Sequence, residues 1–124
     1  MDGNAVTDIV TQYMAAWNEP EAAARQALLE QCWSDSGVYL DPRTSLTGRD
    51  ELARHIAAWQ AARPGVRLEF MSGIDVHHNV FRVLWRLVRA DGSCGDISID
   101  FGEVGADGRL VKIIGFFGAP PALP

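Results

Sequence analysis

At Pro64-Gly65, midway along the chain, the spacing of apolar residues changes from the period of a helix to that of a strand. Upstream, Val6, Ile9, Val10, Tyr13, Met14 and Trp17 recur at intervals of three and four, which predicts a helix from about Asn4 to Trp17. Asn18 stops it. Pro20 suits the first turn of a second helix reaching about Cys32, with Ala24, Ala27, Leu28 and Cys32 on one face. Ser34-Asp35-Ser36-Gly37 reads as a turn. Val38 to Asp41 then reads as a short strand, ended by Pro42, which has a fixed φ and no N–H to pair. Gly48 to Asp50 opens a third helix that carries Leu52, Ile56 and Trp59 inward.

Downstream the alternation predicts four strands: Val66 to Val76, Phe81 to Ala90, Cys94 to Val104 and Leu110 to Gly118. Their connections, His77-His78-Asn79, Asp91-Gly92 and Ala106-Asp107-Gly108, carry the residues that tight hairpins need. Helices first and an antiparallel meander afterwards predict an α+β fold, with three helices on one face of a curved, mainly antiparallel sheet. A bent sheet with helices on its concave side leaves a cavity between the layers. The length of 124 residues suits one domain, expected over 1–118 with a loose tail at 119–124.

Charge and cysteine use narrow the function. The net charge of −5, with ten of eleven basic residues being scattered arginines, argues against binding that depends on neutralising phosphates. No apolar run is long enough to span a bilayer and no signal pattern opens the chain, so a cytoplasmic protein without membrane contact is expected. Cys32 and Cys94 are too few and too isolated for a disulfide framework or a zinc site and are expected to be reduced thiols. His77 and His78 are adjacent at a hairpin tip and expected to point apart, which gives no metal site. His55, beside the buried stripe of the third helix, reads as a packed or edge histidine.

Asp41 and Asp100 each fall on a predicted strand among apolar neighbours, and helical Tyr13 can join them. An ionised carboxylate in apolar company pays a large desolvation cost unless it takes up a proton or finds partners. Chains that keep such groups most often use them for proton transfer or ligand recognition. Alternation leaves the orientation of Asp100 open. Asp96, Ser98 and Asp100 share one face, and Ile97, Ile99 and Phe101 the other. Either the isoleucine face is buried and Asp100 meets water, or Asp100 faces the cavity and the isoleucine face meets a second subunit. Asp96, nearer the sheet end, is expected in solvent. Arg82 and Arg86 are expected on the convex side.

Several stretches resemble the nuclear transport factor 2-like superfamily, on its branch of SnoaL-like polyketide cyclases and ketosteroid isomerases. They are Tyr13-Met14-Ala15-Ala16-Trp17-Asn18, Gly37-Val38-Tyr39-Leu40-Asp41-Pro42, Gly48-Arg49, Ile99-Asp100-Phe101, Asp107-Gly108-Arg109 and Gly115-Phe116-Phe117-Gly118. The resemblance spans essentially the whole chain. It implies a cone of three helices and a curled sheet around a deep apolar pocket, a homodimer through the convex sheet face, and an inward Asp100. It further implies Tyr13 and Asp100 as oxyanion-hole donors and Asp41 as the proton-shuttling base. In ketosteroid isomerases an apolar site keeps a carboxylic acid neutral so that it can donate a hydrogen bond. No cofactor or metal is implied.

The expected pocket wall is Trp17, Tyr39, Trp59, Trp85, Ile113 and Phe117, taking a small apolar metabolite. The chain departs from the resemblance in two respects. Ile56 and Trp33 stand where some isomerases have supporting tyrosines, and an inward Trp17 would narrow the cavity. The competing reading is a non-catalytic binding module or dimeric interaction module of the same fold. Epoxide hydrolysis of the limonene-epoxide type needs an Asp-Arg-Asp set, and Ser98 stands where its arginine would be.

Overall fold

The computed structural model describes residues 2–124. Helix α1 spans Gly3–Asn18, and the Asp2 side chain caps it by accepting the Ala5 N–H at 2.8 Å. The expected stripe is the buried one: Val6, Val10, Tyr13, Ala16 and Trp17. Helix α2, Ala22–Cys32, is capped by the Glu21 carboxylate, so Pro20 lies just ahead of the helix rather than in its first turn. Its inner face is rotated from the expected one. Arg25, Leu29 and Cys32 are buried, while Ala27 is exposed. Arg25 tolerates burial because its guanidinium donates to the Glu19 carbonyl and to Gln60 Oε1. Helix α3, Arg49–Ala62, buries Leu52 and Ile56 and ends before Pro64-Gly65 as expected.

The sheet contains β1 (Trp33–Asp41), β2 (Thr44–Thr47), β3 (Arg67–Phe70), β4 (Asp75–His77), β5 (Val80–Val88), β6 (Ser98–Val104) and β7 (Leu110–Phe116). Its order is β2-β1-β7-β6-β5-β3, with β4 also on β5. All pairs are antiparallel except β1 with β7, so the sheet is mixed and curved. The fold is the α+β cone expected from the resemblance.

Local corrections have local causes. Ser34–Gly37 is not a turn but a bulged part of β1, where the register on β7 shifts between Trp33 and Val38. There the Trp33 indole lies over Gly37, 2.7 Å from where a Cβ would stand, so only glycine fits. Strand β2 was not expected; it returns from Pro42-Arg43 as a four-residue hairpin arm on β1. The expected strand from Val66 to Val76 is two strands, because the chain bends at Met71-Ser72. Strand β6 starts at Ser98, and Cys94 retains only an isolated bridge to Val88.

All three expected hairpin turns are present, and His78 and Asn79 sit at φ 48° and 61° as a tight two-residue turn requires. That left-handed backbone brings the histidines together, with His77 Nδ1 and His78 Nδ1 at 3.0 Å, instead of pointing them apart. Among the described residues, no three His, Cys, Asp or Glu side chains cluster as a metal would need. No described helix is long and apolar enough to cross a membrane.

Trp33, Leu29, Leu52, Ile56, Leu110 and Ile113 are fully buried where the helices close down on the sheet. The convex face carries the other half of the alternation. Ile97, Phe101 and Phe116 are 48%, 40% and 56% exposed there, and the Phe101 and Phe116 rings touch. Arg82 and Arg86 also lie on that side, paired with Asp75 and Glu69.

Candidate active site

Beyond the packed core the helices and the curved sheet diverge around a cavity of about 830 Å³, within the usual range for small-molecule sites. Tyr13, Asp41 and Asp100 all line it. Tyr13 comes from the buried stripe of α1 and stacks on Trp33, ring centroids 5.6 Å apart. Asp41 is the last residue of β1. Asp100 is in β6, opposite Gly115 of β7. The missing side chain at Gly115 makes room for the Asp100 carboxyl. A Cβ there would lie 2.9 Å from Asp100 Oδ1 and 3.7 Å from Asp41 Cβ, so the two acids flank one glycine.

Each acid has a defined donor. Tyr39 O–H donates to Asp41 Oδ2 at 2.6 Å, and the Arg43 backbone N–H donates to Oδ1 at 2.8 Å. Both Asp41 oxygens are thereby oriented. Asp100 Oδ1 accepts the Trp85 indole N–H at 3.0 Å, so its second oxygen can hold a proton. Burial pushes the Asp100 carboxyl up to about 7; the Trp85 bond opposes this, and the Asp41 charge adds to it. Burial also raises Tyr13, with Tyr39 and Asp100 acting in the same direction, so its phenol stays protonated. Tyr39 is raised by burial and by its bond to Asp41.

Of the expected wall residues, Trp17, Tyr39, Trp59, Trp85 and Phe117 line the cavity. Trp17 points inward, against Trp59 at 5.4 Å and Tyr39 at 5.8 Å, and narrows the space without filling it. Ile113 does not line it. Although Ile113 is level with Tyr39 in the β1–β7 pairing, it lies two residues deeper than Gly115, where core side chains close the space. Ile56 and Trp33 are core residues as well, and the hydroxyl that supports the site comes from Tyr39. Asp96 is exposed at the rim.

Three roles were missed in the sequence. His55 lines the cavity against Trp17 and Tyr39, with its pKa lowered by burial and by Arg63 despite the opposing Asp41 charge. The signal was its place in the 52-55-56-59 stripe of α3. Tyr39 as donor to Asp41 follows from their i, i+2 positions on one strand face. Trp85 as donor to Asp100 needs the β5–β6 register, where Trp85 opposes Ser98 and is diagonal to Asp100.

Solved structures give the context for this geometry. A SnoaL-like family protein from Agrobacterium tumefaciens is 30% identical, with 94% of this chain and 99% of that one covered at a TM-score of 0.87. A nuclear transport factor 2-like protein from Mesorhizobium loti is 20% identical over 94% of this chain and 93% of its own, TM-score 0.72. A protein with a ketosteroid isomerase-like fold from Catenulispora acidiphila, solved with trimethylamine, is 14% identical over 89% and 85%, TM-score 0.70. The latter two show the shared fold alone. No family model and no curated protein matches the chain.

Proposed function

As the chain belongs to the SnoaL-like family of nuclear transport factor 2-like proteins, we propose that its cavity catalyses cofactor-independent proton transfer next to a carbonyl, as an isomerase or cyclase does. Asp41, oriented by Tyr39 and the Arg43 N–H, takes the proton from carbon. The carbonyl becomes an enolate, and Tyr13 and protonated Asp100 donate to its oxygen in a site shielded from bulk water. Asp41 then returns the proton, to the same carbon or to a conjugated one. The observation that carries the reading is the convergence of one phenol and two acids on one aromatic cavity, where burial pushes one of the acids up to about 7. The Agrobacterium protein is itself described as a candidate isomerase.

Naphthol, a neutral mimic of the enol, tests the oxyanion hole. Bound naphthol should show the ground-state absorption of its anion at a pH where free naphthol is protonated. Binding with an unshifted spectrum would refute the proton-transfer reading and leave a binding module.

The same reading pairs two copies of the chain through the exposed Ile97, Phe101 and Phe116. Sedimentation should find a dimer that Phe116→Glu dissociates. A monomeric wild type would overturn the pairing.

A further inference from the structure

The cavity mouth carries charges that proton transfer does not use. The strand register brings three arginines to the same end of the fold. Arg43 follows Asp41 at the end of β1, level with the end of β7. Arg63 caps the C-terminus of α3, and Arg89 follows β5, whose Val88 pairs with Arg67. All three line the cavity. The loops that carry Arg63 and Arg89 are in contact: a Cβ on Gly65 would lie 2.7 Å from Ala90 Cβ.

None of the three is in an ion pair among the described residues. Four ion pairs are present, and their arginines, Arg67, Arg82, Arg86 and Arg109, are all outside the cavity lining. Arg63 is held in place. Its guanidinium lies 5.2 Å above the Trp59 ring, and Nη1 donates to the Trp59 carbonyl at 3.3 Å. Its other N–H groups make no hydrogen bond within the described chain. Two aspartates share the rim. Asp91 has Oδ1 occupied by the Ser93 N–H and hydroxyl, and Asp96 lies against Gly118, on the side of Arg43. Asp91 is in the same loop as Arg89, whose charge adds to the Ser93 bonds in lowering its pKa, so Arg89 is partly balanced. Arg63 is the rim arginine on that side without a carboxylate partner among the described residues.

We propose that Arg63 and Arg89 bind the carboxylate of the substrate, which makes the substrate an apolar ring or chain with a ketone at its inner end and an acid group at its outer end. This rests on the proton-transfer reading for the inner end. Guanidinium groups match carboxylate geometry, and a Trp59-stacked arginine loses little freedom on binding. The aromatic wall takes the apolar body, and the arginines fix which end enters first.

The test compares naphthol with a hydroxynaphthoate carrying the same hydroxyl and a carboxylate on the far ring. Wild-type protein should bind the acid ~10-fold more tightly at low salt, the equivalent of one charge-assisted contact. Added salt should erode the preference, and the Arg63→Gln/Arg89→Gln double variant should abolish it. The naphthol signal in the variant reports that the cavity is folded. Equal affinities in the wild type, or a preference that survives in the variant, would overturn the assignment. The affinity ratio reads the arginines whether or not the ring hydroxyl ionises. Failure of ionisation counts only against the proton-transfer reading.

Discussion

Asp41→Asn should slow the ring opening of nitrobenzisoxazole by the protein ~10²–10⁴-fold, the usual contribution of a positioned general base. This surrogate needs no knowledge of the natural substrate. A carboxylate takes its ring C–H proton, the C–H electron pair forms a nitrile, and the N–O bond breaks to leave a coloured phenolate. The reaction asks for a base and for donors to a developing oxyanion, which are the roles assigned to Asp41 and to Tyr13 with Asp100. Asn keeps the shape of Asp41: its one carbonyl oxygen can accept the Arg43 N–H, and its amide N–H can donate to the Tyr39 hydroxyl in place of the bond that Asp41 accepts. The loss should therefore fall on kcat more than on KM. Equal rates in the variant and the wild type would remove Asp41 from the mechanism.

Asp100→Asn should make the protein more stable, by an amount that grows with pH. The folded carboxyl holds its proton up to about 7, whereas an ordinary aspartate releases it near 3.8. Between those values the unfolded chain binds fewer protons than the folded one, so stability falls as pH rises through the window. Below it the wild type pays nothing. Above pH 7 it carries the full cost of a buried charge, ~4 kcal/mol as an order of magnitude. Asn keeps an acceptor for the Trp85 N–H and has no charge to bury. Denaturant unfolding of both proteins across this range should give curves that meet in acid and separate toward pH 8. A constant offset would mean that Asp100 titrates normally.

Helices α1 and α3 were legible because both have a continuous stripe: Val6, Val10, Tyr13 and Trp17 in α1, Leu52, Ile56 and Trp59 in α3. Glycine and asparagine at left-handed positions marked the turns, as at Asn79, Gly92 and Gly108. What failed depended on contacts distant in sequence. The inner face of α2 was misjudged because Arg25 is buried by Gln60, 35 residues away, and no local pattern reveals that partner. Ser34–Gly37 has turn composition, yet the Trp33 ring over Gly37 keeps it in a bulged strand.

The site was partly legible in the same way. Asp41 and Tyr13 stood out by their residue type among apolar neighbours. The orientation of Asp100 could not be decided from alternation, because both faces of β6 carry something that suits a buried surface. Resemblance favoured the cavity, and the space over Gly115 provides the physical reason. Ile113 was misplaced because alternation assigns a face but not a depth along it.

The central claim is that Asp100, facing the cavity, holds its proton up to about pH 7, and infrared difference spectroscopy reads it directly. Wild type minus Asp100→Asn should show a protonated carboxylic acid C=O band that titrates with a midpoint of about 7. A midpoint at the ordinary aspartate value of 3.8, with only the carboxylate bands at neutral pH, would contradict the account.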